Sequence, residues 1–380
     1  MNTGADKRRV VLLIAEYGYF LSHRLSLAHA LVRAGYEVTV ITGVPAGTAP
    51  MTWPGIQVWP LNLRRGMGNP LADLIALWRL VGMLRRLRPG LIHNVSVKLI
   101  LMGSLAAWIT GVPRVLNAYT GLGTLFHSPA GPVPGLRRML VPVLRFLARR
   151  THAWALFQNP EDQHAMERLL LTAPERSALV CGAGVDTEHF RPAPEPDGEP
   201  VVLFVGRLLR DKGIEEFVTA ARALRKNMVV ARFLAAGEPD SENPQSITPA
   251  MLKQWRLTSP VQWLGQVADM PALLSRSQIV CLPSYHEGVP KVLLEAAACD
   301  RAVVATDIAG CRAVVEHQNT GLLVPVRDAA ALGAALETLI SQPALRRTMG
   351  GRARELAVTH FAAHIINDQV LDLYRRMSQT

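Results

Sequence analysis

The chain has 380 residues, 49% hydrophobic and 19% charged, which is enough apolar material for two cores of ordinary size and excludes a disordered chain. Its net charge of +11 sits almost wholly in one half: residues 1–190 hold 20 Lys and Arg against 10 Asp and Glu, and residues 191–380 hold 21 against 20. Cys181, Cys281, Cys299 and Cys311 form no C-x-x-C pair and have no histidine pattern beside them, which argues against a zinc module and a disulfide framework and fits reduced thiols in a cytosolic protein.

From the amino terminus, the apolar run VVLLIA stops at Glu16, too short for the core of a signal peptide, and Val10–Ala15 is expected to be a first strand. Ser22–Arg33 has a helical period closed by Gly35, and Tyr36–Thr42 follows as a second strand. The loop between first strand and first helix carries Gly18, placed to let backbone amides approach a diphosphate. Further strands are expected near Leu91–Asn94, Arg114–Ala118, Trp154–Gln158 and Leu179–Cys181, which makes one doubly wound unit. The uncharged runs after Lys98 and from Val115 to Leu136 are too short or too rich in Gly and Pro to span a bilayer, which needs about 20 apolar residues.

Gly135–Arg150, GLRRMLVPVLRFLARR, sets Arg137, Arg138, Arg145, Arg149 and Arg150 among leucines, valines and Phe146. That pattern suits a helix lying on an anionic membrane surface with arginines reaching the headgroups. A core-packed helix with snorkelling arginines is the alternative. No aromatic-rich basic strand or helix-turn-helix signal accompanies it, so no nucleic-acid partner is expected.

RPAPEPDGEP, from Arg191 to Pro200, has no apolar period and reads as a linker. A second alternation follows, with strands in Pro200–Val205, Val229–Ala235, Val261–Leu264, Ile279–Pro283 and Ala302–Thr306, and a last helix over Ala362–Met377. Gly206 and Arg207 end the first of these strands and Lys212 opens the next helix, so Arg207 and Lys212 project from one loop at the carboxyl edge of the sheet, where open parallel sheets bind ligands. A guanidinium fork and an ammonium suit phosphate oxygens, although two solvated surface cations have the same sequence.

After the uncharged run Ile279–Tyr285, Glu287 stands on a loop and Glu295 on the helix begun by Pro290. The helix start favours an anion such as a diphosphate, and Glu295, on the face of Lys291, is placed for vicinal hydroxyls. On spacing alone, a helix-end charge beside a solvated glutamate explains the pair equally well.

Val261–Asp328, with this E-x7-E element, resembles nearly position by position the nucleotide-sugar half of family 4 retaining glycosyltransferases, and Gly206–Gly213 resembles their G-R-x4-K-G element. The resemblance implies an α/β chain of the GT-B fold, two doubly wound Rossmann-like domains facing a central cleft. Residues 1–190 would form an acceptor- and membrane-facing domain, 191–361 the nucleotide-sugar domain, and 362–380 a helix crossing back onto the first. It implies that Gly206, Arg207 and Lys212 meet the diphosphate, with Gly18 opposite. Glu287 with the amides of Gly288 and Val289 would face the sugar hydroxyls and diphosphate, Glu295 the ribose, and Met270 and Pro271 the base. Glu287, Arg207 and Lys212 would be the catalytic set, acting by position and charge with no enzyme nucleophile.

FLSHRLSLA, HNVSVKLILMGSLAA, NAYTGLG, FQNPED and GVD resemble a clade acting on polyprenyl-diphosphate-linked sugars in bacterial surface-glycan assembly. That resemblance implies acceptor contacts from His23, Arg24, Lys98, Thr120 and Gly121. It also implies transfer of an N-acetylhexosamine from a UDP-sugar at the cytoplasmic face of the inner membrane. The sequence departs from the family at Gly237-Glu238-Pro239-Asp240, where G-x-G-P is commoner, and at Asp300, where glycine is usual. No Asp-x-Asp pair is present, so neither a metal nor a cofactor is expected, and the leaving diphosphate's charge falls to Arg207, Lys212 and the helix start. The alternatives are a nucleotide-sugar isomerase of the non-hydrolysing 2-epimerase type and a binding-only relative.

Overall fold

A computed structural model describes residues 8–63, 70–122, 134–241 and 243–379. Backbone contacts divide the chain into two units, Met1–Ala183 with Ala363–Thr380, and Gly184–Ala362. The division falls ahead of the proline-rich stretch. Val185 N–H donates to Phe361 C=O at 2.9 Å, which ties the start of the second unit to its end.

The first unit runs β1 Arg9–Glu16, α1 Leu25–Arg33, β2 Glu37–Gly43, β3 Ile56–Pro60, α2 Pro70–Leu87, β4 Leu91–Val95, α3 Val97–Thr110, β5 Val115–Tyr119, α4 Pro134–Arg150, β6 Trp154–Phe157, α5 Pro160–Arg168 and β7 Ser177–Leu179. Its sheet has the order β3-β2-β1-β4-β5-β6-β7, and the pairings are parallel. Helices on both faces explain why β1, RVVLLIAE, is apolar without alternation. Val10, Leu12 and Ile14 pack with α1 on one face, and Val11 and Leu13 pack on the other against residues of α2 and α3 such as Leu80, Leu84 and Leu99.

The second unit runs β8 Val201–Val205, α6 Ile214–Lys226, β9 Arg232–Ala236, α7 Pro249–Thr258, β10 Val261–Gly265, α8 Met270–Ser275, β11 Ile279–Leu282, α9 Lys291–Ala298, β12 Ala302–Thr306, α10 Ala309–Arg312, β13 Gly321–Val324, α11 Ala329–Ser341 and α12 Pro343–Thr359. Its sheet order is β10-β9-β8-β11-β12-β13, again parallel. A last helix, α13 Ala363–Gln379, belongs to the first unit. There Ile366, Val370, Leu373 and Tyr374 are buried with β1 and α1, and Tyr374 Oη lies 2.8 Å from His93 Nδ1 on β4.

Several expectations change. Arg191–Pro200 is not a free linker: Arg301 donates to Ala193 C=O at 2.7 Å, Arg346 grips Glu195 with two bonds of 2.9 Å, and Gln278 donates to Pro196 C=O at 2.8 Å. A segment without apolar period is held here through its carbonyls and one carboxylate, contacts that carry no hydrophobic signature. The helix expected from Ser22 begins with a π turn, Phe20–Arg24, before α1. The strand expected at Leu179–Cys181 lies at Ser177–Leu179, and β3 and β13 are short strands beyond those expected. Asp300 takes the left-handed conformation, φ 62, that family members usually give to glycine.

Candidate functional site

In the second sheet β8 and β11 are neighbours, and the chain leaves β8 toward β9 and leaves β11 toward β12. The loops after these two strands therefore diverge and leave a crevice at the carboxyl edge, the usual ligand position in open parallel sheets. Arg207 and Lys212 stand on the loop after β8, and Glu287 stands on the loop after β11.

Those loops meet backbone to backbone at glycines. Gly213 has φ 72, and a Cβ there would lie 2.0 Å from Pro283 C=O, so only glycine permits the approach. Tyr285 completes the tie, donating its N–H to Asp211 C=O at 2.8 Å and its hydroxyl to Glu216 at 2.6 Å. In consequence Lys212 Nζ reaches Glu287 Oε1 at 2.5 Å, an ion pair largely shielded from water.

Arg207 is held from the opposite side. Leu208 N–H donates to Glu238 C=O at 2.9 Å, Ile247 N–H to Leu208 C=O at 3.1 Å and Arg210 N–H to Gln245 C=O at 2.8 Å, so the segment after β9 zips onto the loop after β8. Asp240, in the stretch that departs from G-x-G-P, meets Arg207 Nη1 at 2.5 Å. Gly237 allows this pairing, since a Cβ there would lie 1.9 Å from Gly206 C=O.

α9 starts without a side-chain cap, at the kind of helix end that favours an anion. The loop before it is set by Gly310 of α10, where a Cβ would lie 2.0 Å from Gly288 C=O. One turn into α9, Glu295 is buried at 7% exposure and pairs with Lys291 Nζ at 2.9 Å. Burial raises its pKa above the ordinary glutamate range, and the charges of Lys291 and His189 oppose that shift only in part. Such a carboxylate gains by accepting hydrogen bonds from hydroxyls that replace its lost water. Met270 and Pro271 form the start of α8, capped by Asp269 to Ala272 N–H at 3.0 Å.

Of the residues singled out from sequence, the structure brings Lys212 and Glu287 together and places Gly206 and Arg207 on the loop after β8, Gly288 and Val289 on the loop after β11, and Glu295 on α9. Sequence reading missed Asp240 as the partner of Arg207 and gave no role to Gly237 or Gly310. Gly237 directly follows the strand end Ala236, which is the available signal for a close backbone approach, whereas Gly310 lies within α10 and carries no such signal. Among the described residues no three His, Cys, Asp or Glu side chains are grouped to hold a metal ion.

In the first unit the corresponding divergence lies between β1 and β4. Gly18 is in the short turn after β1, with open space where a Cβ would point. His23 stacks on Tyr19 with ring centroids 4.1 Å apart and accepts or donates to Ser22 Oγ at 2.7 Å. Arg24 is turned inward, 3% exposed, and its Nε and Nη2 are without hydrogen-bond partners. Lys98, at the start of α3, pairs with Asp73 of α2 at 2.7 Å. Thr120 and Gly121 follow β5 and are half-buried.

Residues 185–356 match the family model of group 1 glycosyl transferases, and residues 22–176 match that of the glycosyl transferase 4-like domain. The chain is 27% identical over 379 residues to N,N'-diacetylbacillosaminyl-diphospho-undecaprenol alpha-1,3-N-acetylgalactosaminyltransferase of Campylobacter jejuni, covering 94% of this chain and 98% of that one. It is 32% identical over 308 residues to alpha-maltose-1-phosphate synthase of Mycobacterium tuberculosis, covering 75% and 79%. Sucrose-phosphate synthase from Thermosynechococcus elongatus superimposes with a TM-score of 0.81 at 22% identity, covering 98% of this chain and 99% of that one.

Proposed function

Since the chain belongs to the glycosyltransferases of group 1 and family 4-like type, with their GT-B fold of two parallel-sheet Rossmann-like units, we propose that it moves an N-acetylhexosamine from a UDP-sugar to a polyprenyl-diphosphate-linked saccharide with retention of configuration. The observation that carries the donor half is the Lys212–Glu287 pair, set beside Arg207 where the loops after β8 and β11 diverge. Two cations and an uncapped helix start provide for a diphosphate, and two carboxylates provide for the hydroxyls of sugar and ribose.

In this reading the diphosphate takes Arg207 and Lys212 from their carboxylate partners. Glu287, relieved of its cation, accepts hydrogen bonds from the sugar beside the Gly288 and Val289 amides, and Glu295 holds the ribose. Charge that builds on the departing diphosphate is met by the two cations and the start of α9, and a diphosphate oxygen takes the acceptor hydroxyl's proton. Glu287 acts through position, not as a nucleophile, because in this reading its oxygens are taken up by hydrogen bonds from the sugar hydroxyls.

The acceptor half draws on the Campylobacter relative, which is named for a diphospho-undecaprenol saccharide and for N-acetylgalactosamine. His23, Arg24, Lys98, Thr120 and Gly121, at the carboxyl edge of the first sheet, would meet that acceptor, and Gly18 the donor diphosphate. No helix among the described residues is long and apolar enough to cross a membrane, so a membrane-held acceptor calls for surface attachment, at the cytoplasmic face of the inner membrane. Exposed Arg138, Arg149 and Arg150 of α4 serve that attachment.

A panel of UDP- and GDP-sugars incubated with a short-chain polyprenyl-diphosphate sugar tests the proposal. Mass spectrometry should show one added N-acetylhexosamine from a UDP donor, and the anomeric coupling of the product should show retention. Transfer only from a non-UDP donor, or an inverted product, overturns it.

A further inference from the structure

The outer surface of the helical layer α2–α3–α4 is apolar where a water-facing surface is ordinarily polar. α3, VKLILMGSLAAWIT, has apolar residues all round. Its inner side buries Leu99, Ile100, Met102 and Ala106, while on the outer side Trp108 is 47% exposed and Leu105 is half-buried. Surface helices of water-soluble domains usually keep charge on that side.

α3 packs against α2 and against α4, and both neighbours continue this apolar side. On α2 the series Leu71, Leu74, Ile75 and Trp78 is exposed at 68%, 49%, 48% and 57%. On α4, Met139, Val143 and Phe146 are exposed at 72%, 45% and 43%, and the Phe146 ring meets Trp108 edge-on at 5.5 Å. Scattered exposed apolar residues are normal, but three adjacent helices presenting them together are not.

Charge identifies the occupant. Arg79, Arg85 and Arg86 on α2 and Arg138, Arg149 and Arg150 on α4 are exposed, and Arg150 lies over the Phe146 ring at 5.3 Å. The one acid in the three helix sequences, Asp73, is already paired with Lys98. A second copy docked face to face would set arginines against arginines, whereas anionic headgroups complement them.

We propose that the outer face of α2, α3 and α4 is a monotopic insertion surface that seats the first unit in an anionic bilayer, its apolar stripe below the headgroups and its arginines among them. The proposal rests on the reading of a membrane-held acceptor and extends it. It shifts attachment from the arginines of α4 to apolar residues on three helices. It also removes Arg145 from the headgroup contacts expected from sequence, because Arg145 donates to Leu169 C=O at 2.8 Å and is turned toward the protein. Arg137 lies outside the described side chains.

Co-sedimentation with phosphatidylglycerol–phosphatidylcholine vesicles containing no acceptor is the test. The double variant W78S/W108S should bind about tenfold or more weakly at low salt, because it removes the deepest apolar groups. It should keep normal transfer to a water-soluble short-chain acceptor. R149E/R150E should lose most binding at low salt and a high anionic lipid fraction, and its difference from the parent should shrink as salt or neutral lipid is added. Binding by W78S/W108S equal to the parent's, no binding by the parent, or a solution dimer that W78S/W108S dissociates overturns the proposal. Vesicle binding that follows these expectations in a protein with no transferase activity overturns the functional reading instead and leaves the surface standing.

Discussion

Glu295 and Asp240 each hold a charge in a way the free protein does not need. Glu295 has its pKa raised by burial, so between the ordinary glutamate value and the raised one the folded protein keeps a proton that the unfolded chain has lost. Stability therefore falls as pH rises through that window. Glu295→Gln should raise the melting temperature at pH 8 more than at pH 5 and should weaken UDP binding about tenfold or more, since hydrogen bonds to a charged group are worth about 1.5–3 kcal/mol. Equal melting shifts at both pH values count against the titration, and unchanged UDP affinity counts against the ribose role. Asp240 occupies Arg207 in the free protein, so Asp240→Asn should tighten UDP binding by up to about fivefold, the scale of a half-exposed pair worth about 0–1 kcal/mol. Weaker binding by calorimetry makes Asp240 a positioning residue for Arg207 instead of a competitor.

Helix α13 is the element whose place depends most on distant residues. Its amphipathic period is legible in the sequence, but the surface that receives it, β1, α1 and β4, lies at the other end of the chain. His93 is central to that docking: burial, with Arg24 beside it, lowers its pKa to about 3, and it meets Tyr374 as a neutral ring. The unfolded chain takes up a proton near the ordinary 6.5 while the folded one does not, so the contribution present above that value is lost as pH falls. At pH 5 the loss is about 2 kcal/mol from this residue. Thermal melts should show His93→Gln with a flatter stability profile between pH 7 and pH 5, and a profile parallel to the parent's removes His93 from the docking account. Arg191–Pro200 shows the converse limit, since its contacts run through backbone carbonyls and one carboxylate that no periodicity reports.

For the molecule as a whole, the proposed reaction leaves the charge of the departing diphosphate to Arg207, Lys212 and the start of α9, and the sequence has no Asp-x-Asp pair. Transfer should proceed at its full rate in excess chelator, and an activity lost to chelator and restored by magnesium overturns this. The unequal charge of the two halves has a counterpart in the first unit, where exposed arginines of α2 and α4 border an apolar face.

Two parallel-sheet units are legible in the order of residues alone, because uniform apolar strands alternating with amphipathic helices have few other ways to bury both faces. The same order determines which charged residues stand at the strand ends of the second unit, since a loop after a parallel strand must emerge at the carboxyl edge. Only the tertiary structure decided which charges pair. Lys212 meets Glu287 and Arg207 meets Asp240 because Gly213, Gly237 and Gly310 let separate loops touch backbone to backbone, and such approaches depend on sheet order. The apolar outer face is likewise not visible whole in any one helix. The α4 pattern with Phe146 suggests a surface helix, but Leu71, Trp78 and Trp108 give no such signal, and only the packing of three helices side by side sets them outside together.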